Sequence, residues 1–205
     1  MVNTINYSDD PNDLSHGSNV TGPDYDENGV IYFGKYHPYR NGFNPQHDDY
    51  SSCVLKLKKG GFNIGKQDKT LVLFELLSSR GILQSLFGEV FSLAIVPSSN
   101  KEKTDTGIRQ LATELVGRER DIHDITHALI RYKTIVSAHS GLGSRTIKTH
   151  MNSITVNKSI DIPKWPTIVM DDITTSGVSL LACQKILIKH GFRNIHLCAL
   201  GKTVS

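Results

Sequence analysis

The residues from Pro166 to Leu180, PTIVMDDITTSGVSL, hold the side chains best suited to chemistry. An apolar run delivers two adjacent carboxylates, Asp171 and Asp172. A hydroxyl-rich stretch with one glycine follows: Thr174, Thr175, Ser176, Gly177 and Ser179. The chain then enters an amphipathic segment. Such a strand–turn–helix places ligands at the carboxyl end of the strand. The first helical turn offers unpaired N–H groups and the positive end of a helix dipole, which suit a phosphate. Gly177 lets the backbone approach an anion without an intervening Cβ, and hydroxyls at 175, 176 and 179 add donors. Two carboxylates would repel a phosphate placed beside them. They suit a sugar diol, a magnesium ion, or both, one step away. A sugar phosphate satisfies both halves.

The remaining elements must hold that turn in place. TIVM (167–170) and FSLAIVP (91–97) are short continuous apolar runs, the pattern of strands buried on both faces. IHLCAL (195–200) is a further strand, and weaker ones are expected at 128–132 and 153–156. CVLKLK (53–58) alternates like an exposed strand. Helical spacing marks 106–117, with Ile108, Leu111, Ala112 and Leu115 on one face, and 178–190, ended by Gly191. Residues 68–87 read as an apolar helix with a break at Gly81. Strands alternating with helices predict an α/β fold, a mainly parallel sheet flanked by helices.

Composition narrows the partners. The 205 residues are enough for one ordinary domain or a domain plus a tail. No apolar run approaches the ~20 residues of a membrane span, and the polar, acidic first residues read as neither a signal nor a transit peptide. Three cysteines (Cys53, Cys183, Cys198) without CxxC spacing argue against a disulfide framework or zinc ribbon, so the cytoplasm is the expected location. Residues 1–30 hold six of the 20 acids and no Lys or Arg. They read as a mobile acidic tail. The rest sets 23 bases against 14 acids, a charge of +9. That favours an anionic small molecule, with nucleic acid ranked below it. A homodimer is left open.

The nine residues Asp171-Asp172-Ile173-Thr174-Thr175-Ser176-Gly177-Val178-Ser179 resemble the ribose-5-phosphate loop of type I phosphoribosyltransferases. That loop runs as two acids, two mostly apolar residues, then Thr-Thr-Gly-x-Thr. Thr174 departs from it, being polar where the family prefers an aliphatic residue. The resemblance implies that Thr174, Thr175, Ser176, Gly177, Val178 and Ser179 wrap the 5-phosphate of phosphoribosyl pyrophosphate (PRPP). Asp171 and Asp172 would accept from the ribose hydroxyls and meet magnesium indirectly, through ribose or water. LAIVPSSNKEK is similar to the family's pyrophosphate loop, which implies pyrophosphate contacts from Pro97, Ser98, Ser99, Lys101 and Lys103. GIRQLATEL, with Gly107 and Gln110, resembles the competence-associated ComF-like branch, whose zinc ribbon this chain lacks. That branch's layout adds Arg131 and Lys133 to the acid pair as catalytic candidates. It assigns Arg145 to pyrophosphate across a loop that closes during reaction. The implied activity is magnesium-dependent transfer of phosphoribosyl from PRPP to a nucleobase or amine. A hood over the acceptor is expected from residues 31–65. Its Tyr32, Phe33, Tyr36, Tyr39 and Phe43 could stack a base or be ordinary core. Residues 31–205 would form the domain.

Other readings compete. A non-catalytic PRPP or nucleotide-binding regulator, or a ComF-like accessory in DNA uptake, could use the same loop. Gly60-Gly61-Phe62-Asn63-Ile64-Gly65-Lys66-Gln67 follows the P-loop pattern except at its last position, where Gln67 replaces the magnesium-ligating hydroxyl. Gly201-Lys202-Thr203 and Gly141-Leu142-Gly143 are weaker fragments of nucleotide motifs. His123 and His127 have HExxH spacing, but Asp124 replaces the glutamate. Cys183 and Cys198 lie on apolar faces and read as core.

Overall fold

A computed structural model describes residues 23–39, 43–60, 62, 73, 77, 78, 81–135 and 146–204. Its main sheet has six strands: β1 (Asp24–Tyr25), β2 (Ile31–Tyr36), β3 (Phe91–Ile95), β4 (Ile122–Asp124), β7 (Thr167–Thr174) and β8 (Ile195–Thr203). They lie in the order β1-β2-β8-β7-β3-β4, all parallel except the antiparallel edge strand β1. A separate antiparallel pair joins β5 (Leu129–Arg131) to β6 (Ile154–Val156). The helices are α1 (Asp49–Lys58), α2 (Ile82–Phe87), α3 (Gly107–Arg118), α4 (Ile147–Met151) and α5 (Val178–Lys189). The protein is therefore α/β, with a mixed, mostly parallel sheet flanked by helices. Among the described residues no helix is long and apolar enough to cross a membrane.

Side-chain alternation explains the two layers. Along β7, Ile168 and Met170 enter a core with Leu57 of α1 and Leu111 of α3. Val169 faces the opposite core, with Leu180, Cys183 and Leu187 of α5 and Leu129 and Ile154 of the β5–β6 pair. Burial on both faces is why TIVM and FSLAI are continuous apolar runs. Each fully buried Leu or Ile contributes ~1.5–3 kcal/mol.

Four expectations need correction. CVLKLK is not a strand but the end of α1. Tyr50, Cys53, Val54 and Leu57 are buried at helical spacing, and the Asp48 side chain caps the helix by accepting from Ser51 N at 2.8 Å. The alternation of Leu55–Lys58 imitated a strand while the longer-range period was helical. Second, residues 24–30 are held against the domain, and the rest of the expected tail, residues 1–22, lies outside the described residues. Asp26 Oδ1 accepts from Asn28 N (2.9 Å) and Val30 N (3.0 Å), Gly29 takes φ +72°, and Val30 is fully buried. Third, residues 31–36 are not a separate hood, because β2 pairs with β8 inside the sheet and Phe33 is core. Fourth, β7 runs on through the acid pair to Thr174, since β8 supplies partners for Asp171, Ile173 and Thr174 in Ala199, Gly201 and Lys202. The break at Gly81 is the N-cap of α2, in a left-handed conformation. Most of 68–80 lies outside the described residues. All three cysteines are buried free thiols, and burial pushes those of Cys183 and Cys198 up.

Candidate functional site

The carboxyl ends of β7 and β3 carry the two loops singled out in the sequence. At the end of β7, Asp171 lies on the α5 side, where Ser179 Oγ donates to its Oδ2 at 3.1 Å. Asp172 lies closer to α1, with the Lys58 and Lys103 charges near it. Each carboxylate also accepts from the next backbone N–H: Asp172 N to Asp171 at 2.9 Å, Ile173 N to Asp172 at 2.6 Å. Burial, together with the neighbouring Asp172 charge, pushes the Asp171 carboxyl up to about 7 against the hydrogen bonds from Ser179 and Asp172 N. Asp172 is also raised by burial, against the pull of Lys58, the Ile173 N–H and Lys103. The pair is thus a desolvated double carboxylate that accepts a proton near neutrality, or a cation or hydroxyl donors instead.

Beyond Thr174 the chain turns in three residues. Gly177 is the N-cap of α5, with φ +69°, and no side chain caps this helix. The first-turn N–H groups therefore have no intrahelical partner. The hydroxyls are less free than the sequence implied. Thr174 is buried, and its Oγ1 accepts from Gly177 N at 3.0 Å. It holds the turn from inside and offers no donor to a ligand. Thr175 Oγ1 meets Thr203 Oγ1 at 2.9 Å, and Ser179 is engaged with Asp171. A Cβ at Gly177 would face Val30 Cγ2 at 3.4 Å and Asn28 Nδ2 at 3.6 Å, so the glycine fits against protein on that side. The N–H groups of 178–180 are left as the main-chain anion-binding element. Ser176 is exposed and can add its hydroxyl, while Val178 contributes main chain only.

The loop after β3 is longer and basic. Pro97, Ser98, Lys101 and Lys103 line a cleft of about 260 Å³ with Arg109 and His127. Ser99 is half-buried, and its carbonyl accepts from Ile135 N at 3.0 Å. Arg131 lines the same cleft. It is buried, and its guanidinium donates to the Ser98 carbonyl, to Ser153 Oγ (2.6 Å) and to the Pro97 carbonyl (3.3 Å). Arg131 positions the loop from behind. Lys133 is exposed two residues further on, and Arg145 lies outside the described residues.

Of the aromatic hood candidates, Tyr36 is buried near Asp172, Tyr32 donates to Asp24 at 2.9 Å, and Tyr39 and Phe43 are exposed. The sequence analysis does not name Lys58 and Asn28 as neighbours of the site. Only Lys58 carries a signal, the basic C-terminal end of a helix. Gly60 follows helix α1 where a P-loop requires a strand, so the local strand–loop–helix is missing there. Lys66 lies outside the described residues. His123 stacks on Trp165 (5.2 Å, 10°) and His127 Nδ1 meets Arg109 Nη1 at 3.1 Å. Neither sits on a helix. Compared with known proteins, the chain matches no protein-family model and no curated protein.

Proposed function

We propose that the protein is a magnesium-dependent phosphoribosyltransferase, transferring the phosphoribosyl group of PRPP to a nucleobase or amine. The carrying observation is the desolvated Asp171–Asp172 pair near the carboxyl end of β7, a strand that ends three residues before α5, whose N-terminus has no side-chain cap. A phosphate on the N–H groups of 178–180 and a diol against the two carboxylates fit one molecule, a ribose 5-phosphate. The neighbouring basic cleft at Pro97–Lys103 suits the pyrophosphate end. This assignment also accords with the nine-residue resemblance at 171–179 and the type I fold it implies.

In the proposed reaction the C1–O bond to pyrophosphate breaks and a C1–N bond forms. The electron pair leaves on pyrophosphate, and the nucleophile loses its proton to solvent. Positioning and charge stabilisation account for the rate. Asp171 and Asp172 orient the ribose by accepting from its hydroxyls. Lys101 and Lys103 meet the developing charge on the leaving group. Arg131 acts indirectly, by holding the Pro97–Ser98 carbonyls. The buried, adjacent carboxylates of Asp171 and Asp172 would hold magnesium through ribose or water, as outer partners. When bound, the ion neutralises charge on the pyrophosphate.

A non-catalytic PRPP-binding regulator is the second reading, favoured by the engagement of Arg131 in loop structure. Pyrophosphate release from PRPP and magnesium, assayed across nucleobases and simple amines, separates the two. Turnover with one acceptor is the expected result. PRPP binding without turnover selects the regulator, and no PRPP binding removes both.

A further inference from the structure

We propose that residues 24–30 form the back wall of the phosphate-binding turn, with Asn28 positioning the Ser176 peptide; this rests on the phosphoribosyl reading. The segment meets the turn at Ser176 and Gly177. Asn28 Nδ2 donates to the Ser176 carbonyl at 3.4 Å. Asn28 and Val30 fill the space toward which a Cβ at Gly177 would point. Val30 is fully buried in the same core as Leu180 and Cys183 of α5. Asp26 anchors the other end. Its Oδ2 accepts from Lys202 Nζ at 2.7 Å, with the Asp26 side chain 1% exposed, and Lys202 pairs in register with Thr174, the last residue of β7.

The chemistry follows from the orientation of one peptide. A turn that binds an anion through N–H groups must keep its carbonyls pointing away from the ligand. A donor behind the Ser176 carbonyl does that, and a carboxamide supplies it without adding charge. Asp26 satisfies Lys202 internally, so Lys202 does not draw the phosphate toward β8. The first-turn N–H groups of α5 remain the strongest attraction. Three acids in this segment (Asp24, Asp26, Glu27) thus lie beside an anion site, yet the residue against the turn is the neutral Asn28.

Two variants of the full chain, Asn28→Ala and Asn28→Asp, test this with two measurements. Asn28 is exposed, so both are expected to fold, and a melting curve checks it. In amide hydrogen exchange, Asn28→Ala should speed exchange within 177–180 about fivefold at Gly177, whose N–H belongs to the Ser176 peptide and is held by Thr174, while β3 is unchanged. In calorimetric titrations, ribose 5-phosphate should bind about fivefold more weakly to Asn28→Ala. It should weaken further with Asn28→Asp, in a salt-sensitive manner, because a carboxylate cannot donate and repels the phosphate. Pyrophosphate affinity should not move in either variant. Unchanged exchange at Gly177, or unchanged ribose 5-phosphate affinity where the wild type binds it, overturns the role of Asn28. Faster exchange in a protein that never binds ribose 5-phosphate supports the wall and removes the phosphoribosyl reading alone.

Discussion

The two loops at the carboxyl ends of β7 and β3 do neighbouring jobs with opposite construction. Three residues separate β7 from α5, and eleven separate β3 from α3. In the short loop three hydroxyls are engaged by protein: Thr174 with Gly177, Ser179 with Asp171, Thr175 with Thr203. What it presents is backbone and the exposed Ser176 side chain. In the long loop Lys101 and Lys103 are exposed, while the main chain is held by residues from far along the chain. Arg131 binds the Pro97 and Ser98 carbonyls, Thr134 Oγ1 accepts from Lys101 N at 3.1 Å, and Ile135 N donates to Ser99. A tight turn can be specified by its own few residues. A long one requires tertiary partners to offset its chain entropy.

Removing the guanidinium of Arg131 should strain that contrast most. Arg131→Met leaves two loop carbonyls and the Ser153 hydroxyl without their buried donor, which should lower stability by ~3 kcal/mol in urea unfolding. Pyrophosphate affinity should fall with it, and ribose 5-phosphate affinity much less. Equal losses for both ligands would erase the distinction between the loops.

Asp171→Asn sharpens the same comparison through pH. A carboxyl raised to about 7 in the folded protein, against an unfolded value near 4, binds its proton more tightly when folded. The wild type therefore loses stability as pH rises from about 4 to 7. The asparagine variant escapes that loss, so its gain should be near zero at pH 4 and on the order of 2 kcal/mol at pH 8. Ribose 5-phosphate should bind more weakly at either pH. A stability gain that does not grow with pH would contradict the desolvated pair.

The smallest effect belongs to the lysines. Lys101→Ala and Lys103→Ala should leave the melting temperature unchanged, because both side chains are exposed. Each should weaken pyrophosphate by ~0.5–1 kcal/mol, less as salt is added. A stability loss in either would mean that the long loop, like the short one, uses its side chains to hold itself.

How far the sequence carried depended on whether the relevant contacts were local. The buried strands 91–95 and 167–170, helices 107–118 and 178–189, and the weaker strands at 129–131 and 154–156 were all readable, because periodic burial is written in neighbouring residues. CVLKLK was misread because four residues of alternation outweighed the spacing of Tyr50, Cys53, Val54 and Leu57. Residues 24–30 were misread for a different reason. The turn bonds of DYDENGV are local, from Asn28 N and Val30 N to Asp26, but what fixes the segment to the domain comes from Lys202, Ser176 and the α5 core.

By itself, then, the chain's sequence determined an α/β layering, a strand delivering two acids, and a glycine turn into a helix. Each of these is a short-range pattern of polarity and backbone freedom. Tertiary structure alone decided which polar groups remain available to a ligand. Thr174, Ser179 and Arg131 carry suitable chemistry in any listing of residue types. Their donors and acceptors are engaged by Gly177, Asp171 and the Pro97–Ser98 carbonyls. A hydrogen bond satisfied inside the protein is unavailable outside it, and only packing determines which groups are satisfied.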